Sequence, residues 1–324
     1  MSERLRAHQT TADPLAFQPA QTSRLAGRVR LPAQQGGNSP VMAVSLDKVL
    51  SRIHALPELS PVVLRALQLT DREFISAREI VGVISVDARF SMRIVKAANT
   101  PCYTLPRPVT SVGEAVLLLG TDSFREVVLI AAARDIFHRD LPGYGLSGSE
   151  MWAHSLACGM AAQIIAELTE YSNPQEAFVS GLLHDVGKIV LNEEMQSALA
   201  VIRAQMARAD CAFVDAERAI LGYDHCDVGG RVARSWGLPQ HIVQAVALHR
   251  KPIVSRQTVP LAGYVHLGEA LCCAAGIGLG FEGLNFTLET QALTDFKFTE
   301  DMADAALSRL VDKMSASQTL LAAP

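Results

Sequence analysis

From Ser45 onward, apolar residues recur at about 3.6-residue spacing, broken by short polar stretches. Side chains able to accept from the free N–H groups of a first helical turn stand repeatedly just ahead of those runs. Ser76/Glu79, Ser111/Glu114 and Ser147/Glu150 have the spacing of a reciprocal capping pair. Asn173-Pro174 with Glu176 is a further start signal, because proline at the first helical position gives up an N–H that has no partner there anyway, and it predicts a helix over about 174–191. Leu117-Leu118-Leu119-Gly120 ends one helix before Thr121 restarts the pattern, and Gly237 after Trp236 ends another, with Pro239 opening the next. The two-residue alternation of strands is scarce, so the predicted fold class is all-α.

These helices form two groups, 45–140 and 147–275, parted by the turn-forming Leu141-Pro142-Gly143-Tyr144-Gly145, which predicts a two-lobed bundle. After Gly276-Ile277-Gly278-Leu279-Gly280 comes an extension over 276–324, helical again at 300–314 and expected to pack on the second lobe. Residues 1–42 are rich in Gln, Ala, Ser, Pro and Arg and lack a sustained apolar period; a disordered tail is expected, and Met42 is an alternative start.

Composition narrows the function classes. With 49% hydrophobic and 19% charged residues the chain can bury a substantial core. A net charge of −4 without long runs of one sign builds no basic field for a phosphate backbone, so a nucleic-acid partner is not expected. The six cysteines include no CxxC pair, which suits a reducing cytoplasm. Charged residues or His interrupt every apolar stretch before ~18 residues, so no membrane span is expected. No Gly-rich phosphate loop or hydrolase elbow is present.

What remains is a confined series of possible metal ligands: His154, the pair His184-Asp185 within Leu-Leu-His-Asp-Val-Gly-Lys, His225, His249, and then His266 and Glu269. Imidazoles with a bridging carboxylate suit a divalent cation such as Fe, Mn, Ni or Zn. Each also has a plainer reading. Asp185 and Lys188 can pair at i,i+3 with His184 hydrogen-bonded in the core. His225 sits near a helix start that Asp224 or Asp227 can cap, and His249 ends a helix, where an imidazolium suits the dipole. His266 reads as a core histidine, Glu150 as a capping residue, and Cys158 and Cys226 as small apolar fillers. Arg89, Arg93 and Lys96 line one helical face, read as solvated.

The ordered fragments Leu56-Pro57-Glu58-Leu59-Ser60-Pro61, Asp87-Ala88-Arg89-Phe90, Ala97-Ala98-Asn99, Trp152-Ala153-His154-Ser155, Gly181-Leu182-Leu183-His184-Asp185-Val186-Gly187, Asp224-His225-Cys226-Asp227-Val228-Gly229, Trp236-Gly237-Leu238-Pro239 and Val265-His266-Leu267-Gly268-Glu269 together resemble the HDOD domain. This is a variant of the metal-dependent HD phosphohydrolase superfamily, and the resemblance covers roughly residues 50–275. It implies a bacterial signal-transduction module acting through protein partners or a nucleotide ligand. It also implies metal ligation by His154, His184, Asp185 and Glu269, the last standing where catalytic relatives carry Asp, with His225 and His249 matching the added histidines of two-metal relatives. Lys188 is a possible phosphate contact. Where the cyclic-dinucleotide phosphodiesterase branch has His-His-Glu and Gly-Tyr-Pro, this chain reads Ala247-Leu248-His249-Arg250-Lys251-Pro252, so hydrolysis of cyclic di-GMP is not expected. The alternative is a divalent-metal phosphohydrolase acting on a nucleotide or phosphodiester.

Overall fold

A computed structural model describes residues 46–51, 62–63, 65–66, 77–282 and 285–321. The expected tail over 1–42, the Ser76 cap and the motif at 56–61 lie outside the described residues. Helix α1 is Leu46–Ser51, α2 Ala77–Ile84 and α3 Ala88–Ala98; the Asp87 side chain caps α3 by accepting from Phe90 N at 2.9 Å. Helix α4, Val112–Phe137, starts at Ser111, which accepts from Glu114 N, and it kinks at Gly120 (φ 73°, ψ 173°). The apolar run therefore does stop at Gly120, a conformation that a residue with a Cβ resists.

Helix α5, Gly148–Leu168, opens on the expected Ser147/Glu150 capping box. It is apolar all round because it is covered all round: α4, α6 (Pro174–Leu183), α11 (Pro260–Ala275) and α13 (Glu300–Ala316) pack on it. Glycine permits the closest of these crossings. A Cβ on Gly181 of α6 would stand 2.7 Å from the Cys158 carbonyl oxygen of α5. Further helices are α7 (Val186–Ala209), α8 (Phe213–Leu221), α9 (His225–Ser235), α10 (Gln240–Leu248), α12 (Thr290–Asp295) and α14 (Gln318–Leu321). The strands among the described residues, β1 (Ile253–Val254) and β2 (Gln257–Thr258), form one short antiparallel hairpin. The fold is all-α.

Two details depart from the sequence pattern. The helix expected over 174–191 is broken at His184-Asp185, and α7 restarts at Val186. The turn at 141–146, closed by Leu141 N donating to Leu146 O at 2.7 Å, is also more than a spacer, because Tyr144 within it is buried and its hydroxyl donates to Glu217 at 2.7 Å. The C-terminal extension holds to α5: Arg309 pairs with Glu167, and Trp152 Nε1 donates to Leu320 O at 2.9 Å. Among the described residues no helix is long and apolar enough to cross a membrane.

Candidate metal centre

The break between α6 and α7 makes the site. A continuous helix would turn His184 and Asp185 through successive steps of its surface, whereas the break leaves both side chains pointing into the same interior. Immediately afterwards Gly187 lets α9 come against α7: a Cβ there would stand 1.9 Å from the His225 carbonyl oxygen. Asp224 caps α9 in a reciprocal pair with Asp227, so His225, the first helical residue, is free to face inward. Helix α10 ends at His249, α5 carries His154 and α11 carries Glu269.

All four imidazoles turn Nε2 toward Asp185, which has no exposure to solvent. His184 and His154 stand 3.2 and 3.5 Å from Oδ2, while His225 and His249 stand 3.7 and 3.9 Å from Oδ1. The other ring nitrogen is anchored in every case. Nδ1 lies 2.7 Å from Gly181 O for His184, 3.1 Å from Ile277 O for His154 and 2.8 Å from Val246 O for His249. For His225 the anchor is a carboxylate, Glu217 Oε2 at 2.5 Å, itself held by Tyr144. An Nδ1–H spent on a carbonyl leaves the Nε2 lone pair for a cation, the usual arrangement behind a metal-bound histidine.

The cationic wall lies to one side. Lys188 Nζ is 2.8 Å from Asp185 Oδ2 and 2.5 Å from Glu282 Oε1. Arg250 Nη1 pairs with Glu269 Oε1 and lies 3.2 Å from Glu282 Oε2. The cavity among His154, Lys188, Arg250, Glu269 and Glu282 has about 10 Å³ open to the centre of a water molecule. That admits a water or an ion and nothing larger.

Electrostatics divide the histidines. Burial lowers the pKa of His154 and, with the charges of His184 and His225 beside it, holds that of His249 well below the usual value, so both are neutral ligands in waiting. Burial also opposes charge on His184, but Asp185 outweighs it and raises the pKa. For His225 burial is outweighed by the interactions with Cys226 and Glu217, which raise the pKa, while burial pushes the Cys226 thiol itself up to about 12. Asp185 is held well below the carboxylate range: burial would raise it, and the charges of His184 and Lys188 prevail.

The donors fit a divalent cation. His154, His184 and His225 Nε2, both Asp185 oxygens and Glu269 Oε2 are buried and lack a properly directed hydrogen bond, although Lys188 is in charge contact with Asp185. Buried polar atoms are seldom left so unless something else is meant to meet them. Three groups of close-lying ligand atoms recur here: His154, His184 and Glu269; His184, Asp185 and His249; and His225, Cys226 and His249. In the third the Cys226 sulfur approaches His249 Nε2 at 3.7 Å.

The six expected ligands thus share one centre. The Asp185–Lys188 pair of the plainer reading is also present and coexists with them. The imidazolium at a helix end is not, because His249 is held neutral. His266 is a core histidine, its Nδ1 2.8 Å from His249 O and its Nε2 accepting from Glu289 N at 2.9 Å. Arg250 spends its charge on Glu269 and Glu282. Sequence reasoning missed Glu217 and Glu282. Glu217 carried a signal, a lone acid on the apolar stripe of Phe213, Ala216 and Ile220; Glu282, in a glycine-rich loop, carried none.

Solved structures share this arrangement of helices. An HDOD domain protein of unknown function from Geobacter sulfurreducens is 26% identical, with 85% of this chain and 99% of that one covered and a TM-score of 0.66. A protein named as a candidate phosphohydrolase from Shewanella amazonensis is 21% identical (84% and 97% covered, TM-score 0.63). One named as a candidate signal transduction protein from Marinobacter aquaeolei is 18% identical (85% and 64% covered, TM-score 0.66). No curated protein matches. The HDOD domain family model matches residues 56–252, well over half of the chain, and the protein belongs to the HDOD family.

Proposed function

We propose that this protein is an HDOD-type signal-transduction module whose histidine–carboxylate centre takes up a divalent cation for structural and regulatory ends, with output through a protein or ligand interaction rather than turnover. The observation that carries this reading is the closed end of the centre. Lys188, Arg250, Glu269 and Glu282 are paired with one another across a cavity of about 10 Å³, whereas a site for a nucleotide-sized substrate needs some hundreds. His154, His184 and Glu269 would hold a cation on the Oδ2 side of Asp185, with His225 and His249 on its Oδ1 side. A bound cation there supplies Lewis acidity and an activated water in enzymes. The chain's own part is to fix the imidazoles through Nδ1, balance the carboxylates with Lys188 and Arg250, and exclude water. In this chain Arg250 competes for Glu269. The neighbours named for signal transduction and for phosphohydrolysis show that both uses are attributed to this fold, and the closed cavity favours the first.

The test is hydrolysis of cyclic di-GMP and of a generic phosphodiester by protein loaded with Mn or Fe, with His184→Ala as the blank. No metal-dependent product is expected. Product that disappears in the blank would make the protein the phosphohydrolase of the alternative reading.

A further inference from the structure

The Asp185 carboxylate has two sides, and the chain furnishes them differently. On the Oδ2 side stand the imidazoles of His154 and His184, with the Glu269 carboxylate close to both. On the Oδ1 side stand His225 and His249, and beside them a further donor that the HDOD resemblance does not imply. This is Cys226, which the sequence alone reads as an apolar filler. The reciprocal cap of Asp224 and Asp227 starts α9 so that His225 and Cys226 occupy its first two positions, and both are buried. The sulfur stands 3.7 Å from His249 Nε2, the same nitrogen that faces Asp185 Oδ1 at 3.9 Å.

A thiol donating a weak hydrogen bond to His249 accounts for that one contact and needs no cation. It leaves His225 Nε2 and Asp185 Oδ1 buried, 3.7 Å apart and without a hydrogen bond. One cation among the four atoms serves all of them. The spacing agrees with this: metal bonds of ~2.3 Å to sulfur and ~2.0–2.1 Å to nitrogen or oxygen place tetrahedral donors about 3.6 Å apart for sulfur and nitrogen, and about 3.3 Å apart for nitrogen and oxygen. The observed separations, 3.7 Å for the first and 3.7 and 3.9 Å for the second, lie close to these values. We infer that Cys226 is a metal ligand, and that with His225, His249 and Asp185 Oδ1 it forms a four-coordinate zinc site. This rests on the metal-centre reading and adds to it a donor and a metal identity. Thiolate with imidazole selects zinc over the harder Mn or Mg, a choice that the nitrogen and oxygen donors of the Oδ2 side do not impose. Four protein donors also fill the tetrahedron, as in structural zinc sites, and leave no position for a substrate or a reactive water. On binding, the S–H bond of Cys226 breaks, a sulfur–zinc bond forms and the proton passes to solvent. The first turn of α9 favours the resulting thiolate, because the helix N-terminus stabilises negative charge.

The test uses full-length protein stripped with a chelator and reloaded with Co(II), a spectroscopic stand-in for zinc. A sulfur-to-cobalt charge-transfer band in the near ultraviolet is expected, since imidazole and carboxylate ligands give none there. Cys226→Ala should lose the band while cobalt still binds through the donors of the Oδ2 side. Cys273→Ala, which removes a thiol lining the cavity beside Glu269, should keep it. Bound cobalt without the band, or a band lost in Cys273→Ala and kept in Cys226→Ala, would overturn the thiolate ligand and leave the metal-centre reading intact. Failure to bind cobalt at all would overturn both. Should Cys226→Ala fold poorly, X-ray absorption at the zinc edge of zinc-loaded wild type and Cys273→Ala decides. A sulfur shell at ~2.3 Å is expected in both, and nitrogen and oxygen neighbours alone in either would refute the assignment.

Discussion

At Asp185, four imidazoles and one ammonium face a carboxylate that has left water completely. Asp185→Ala removes the anion from Lys188 and the shared anchor of the ring nitrogens, and breaking a buried pair of this kind costs ~3–5 kcal/mol. Glu150→Ala removes only the return arm of a capping box, worth ~1 kcal/mol. Chemical denaturation and metal content of the two variants should differ in that order, and equal losses in both would mean the site is misplaced. A second residue, at the edge of the cluster, titrates mainly under the influence of its burial. His266 is buried, accepts from Glu289 N, and has its pKa lowered by burial to about 4 from 6.5. A group depressed in the folded state lends stability above the unfolded pKa and loses it as pH falls toward the folded one, since the unfolded chain then binds the extra proton. Between about pH 6.5 and 4, stability should therefore fall more steeply in the wild type than in His266→Gln, by up to about 1.4 kcal/mol per pH unit. Parallel pH curves would show His266 to be protonated in the fold. The convergence of the candidate ligands was legible in the sequence because His and Asp among apolar residues demand a partner. Glu282 was not, because its role depends on where a glycine-rich loop is folded.

Element boundaries followed from local chemistry wherever a side chain does the capping. Ser111, Ser147 and Asp224 each begin a helix by accepting from the backbone, and Gly120 ends one with a positive φ. The break at His184-Asp185 was hidden, because apolar residues continue on both sides of it and Asp185, at the N-cap position of α7, makes no capping hydrogen bond; it is held by tertiary contacts with α5, α9 and the end of α10. The same contacts give Gly187 a meaning that the motif alone did not. In Gly187→Ala the new Cβ would overlap the His225 carbonyl, so α7 and α9 must part. Overpacking of this kind costs ~1–3 kcal/mol or more, and the separation moves His225 away from Asp185. The variant should lose both thermal stability and metal affinity, whereas Gly82→Ala in α2, where a Cβ meets nothing within 4 Å, should lose neither. Equal behaviour of the two would contradict the close approach of α7 and α9.

Across the molecule, the centre is assembled from helices far apart in sequence, with α5 at the middle and α13 covering one of its faces. Deleting residues 300–324 would expose that face and the surfaces that bury Ala306, Leu310 and Leu320. Each buried leucine contributes ~1.5–3 kcal/mol, and each kcal/mol moves the midpoint by roughly 2–4 °C in a domain of this size, so a fall of roughly 5–20 °C in Tm is expected. An unchanged Tm would show that the extension is dispensable. The central claim is that the convergent histidines and Asp185 form a metal centre. Elemental analysis of protein purified without added metal, beside His184→Ala, tests it most directly. The account predicts near-stoichiometric Fe, Mn, Ni or Zn in the wild type and its loss in a variant that still folds. Stable wild-type protein that is metal-free, and stays so after incubation with each of these cations, would contradict it.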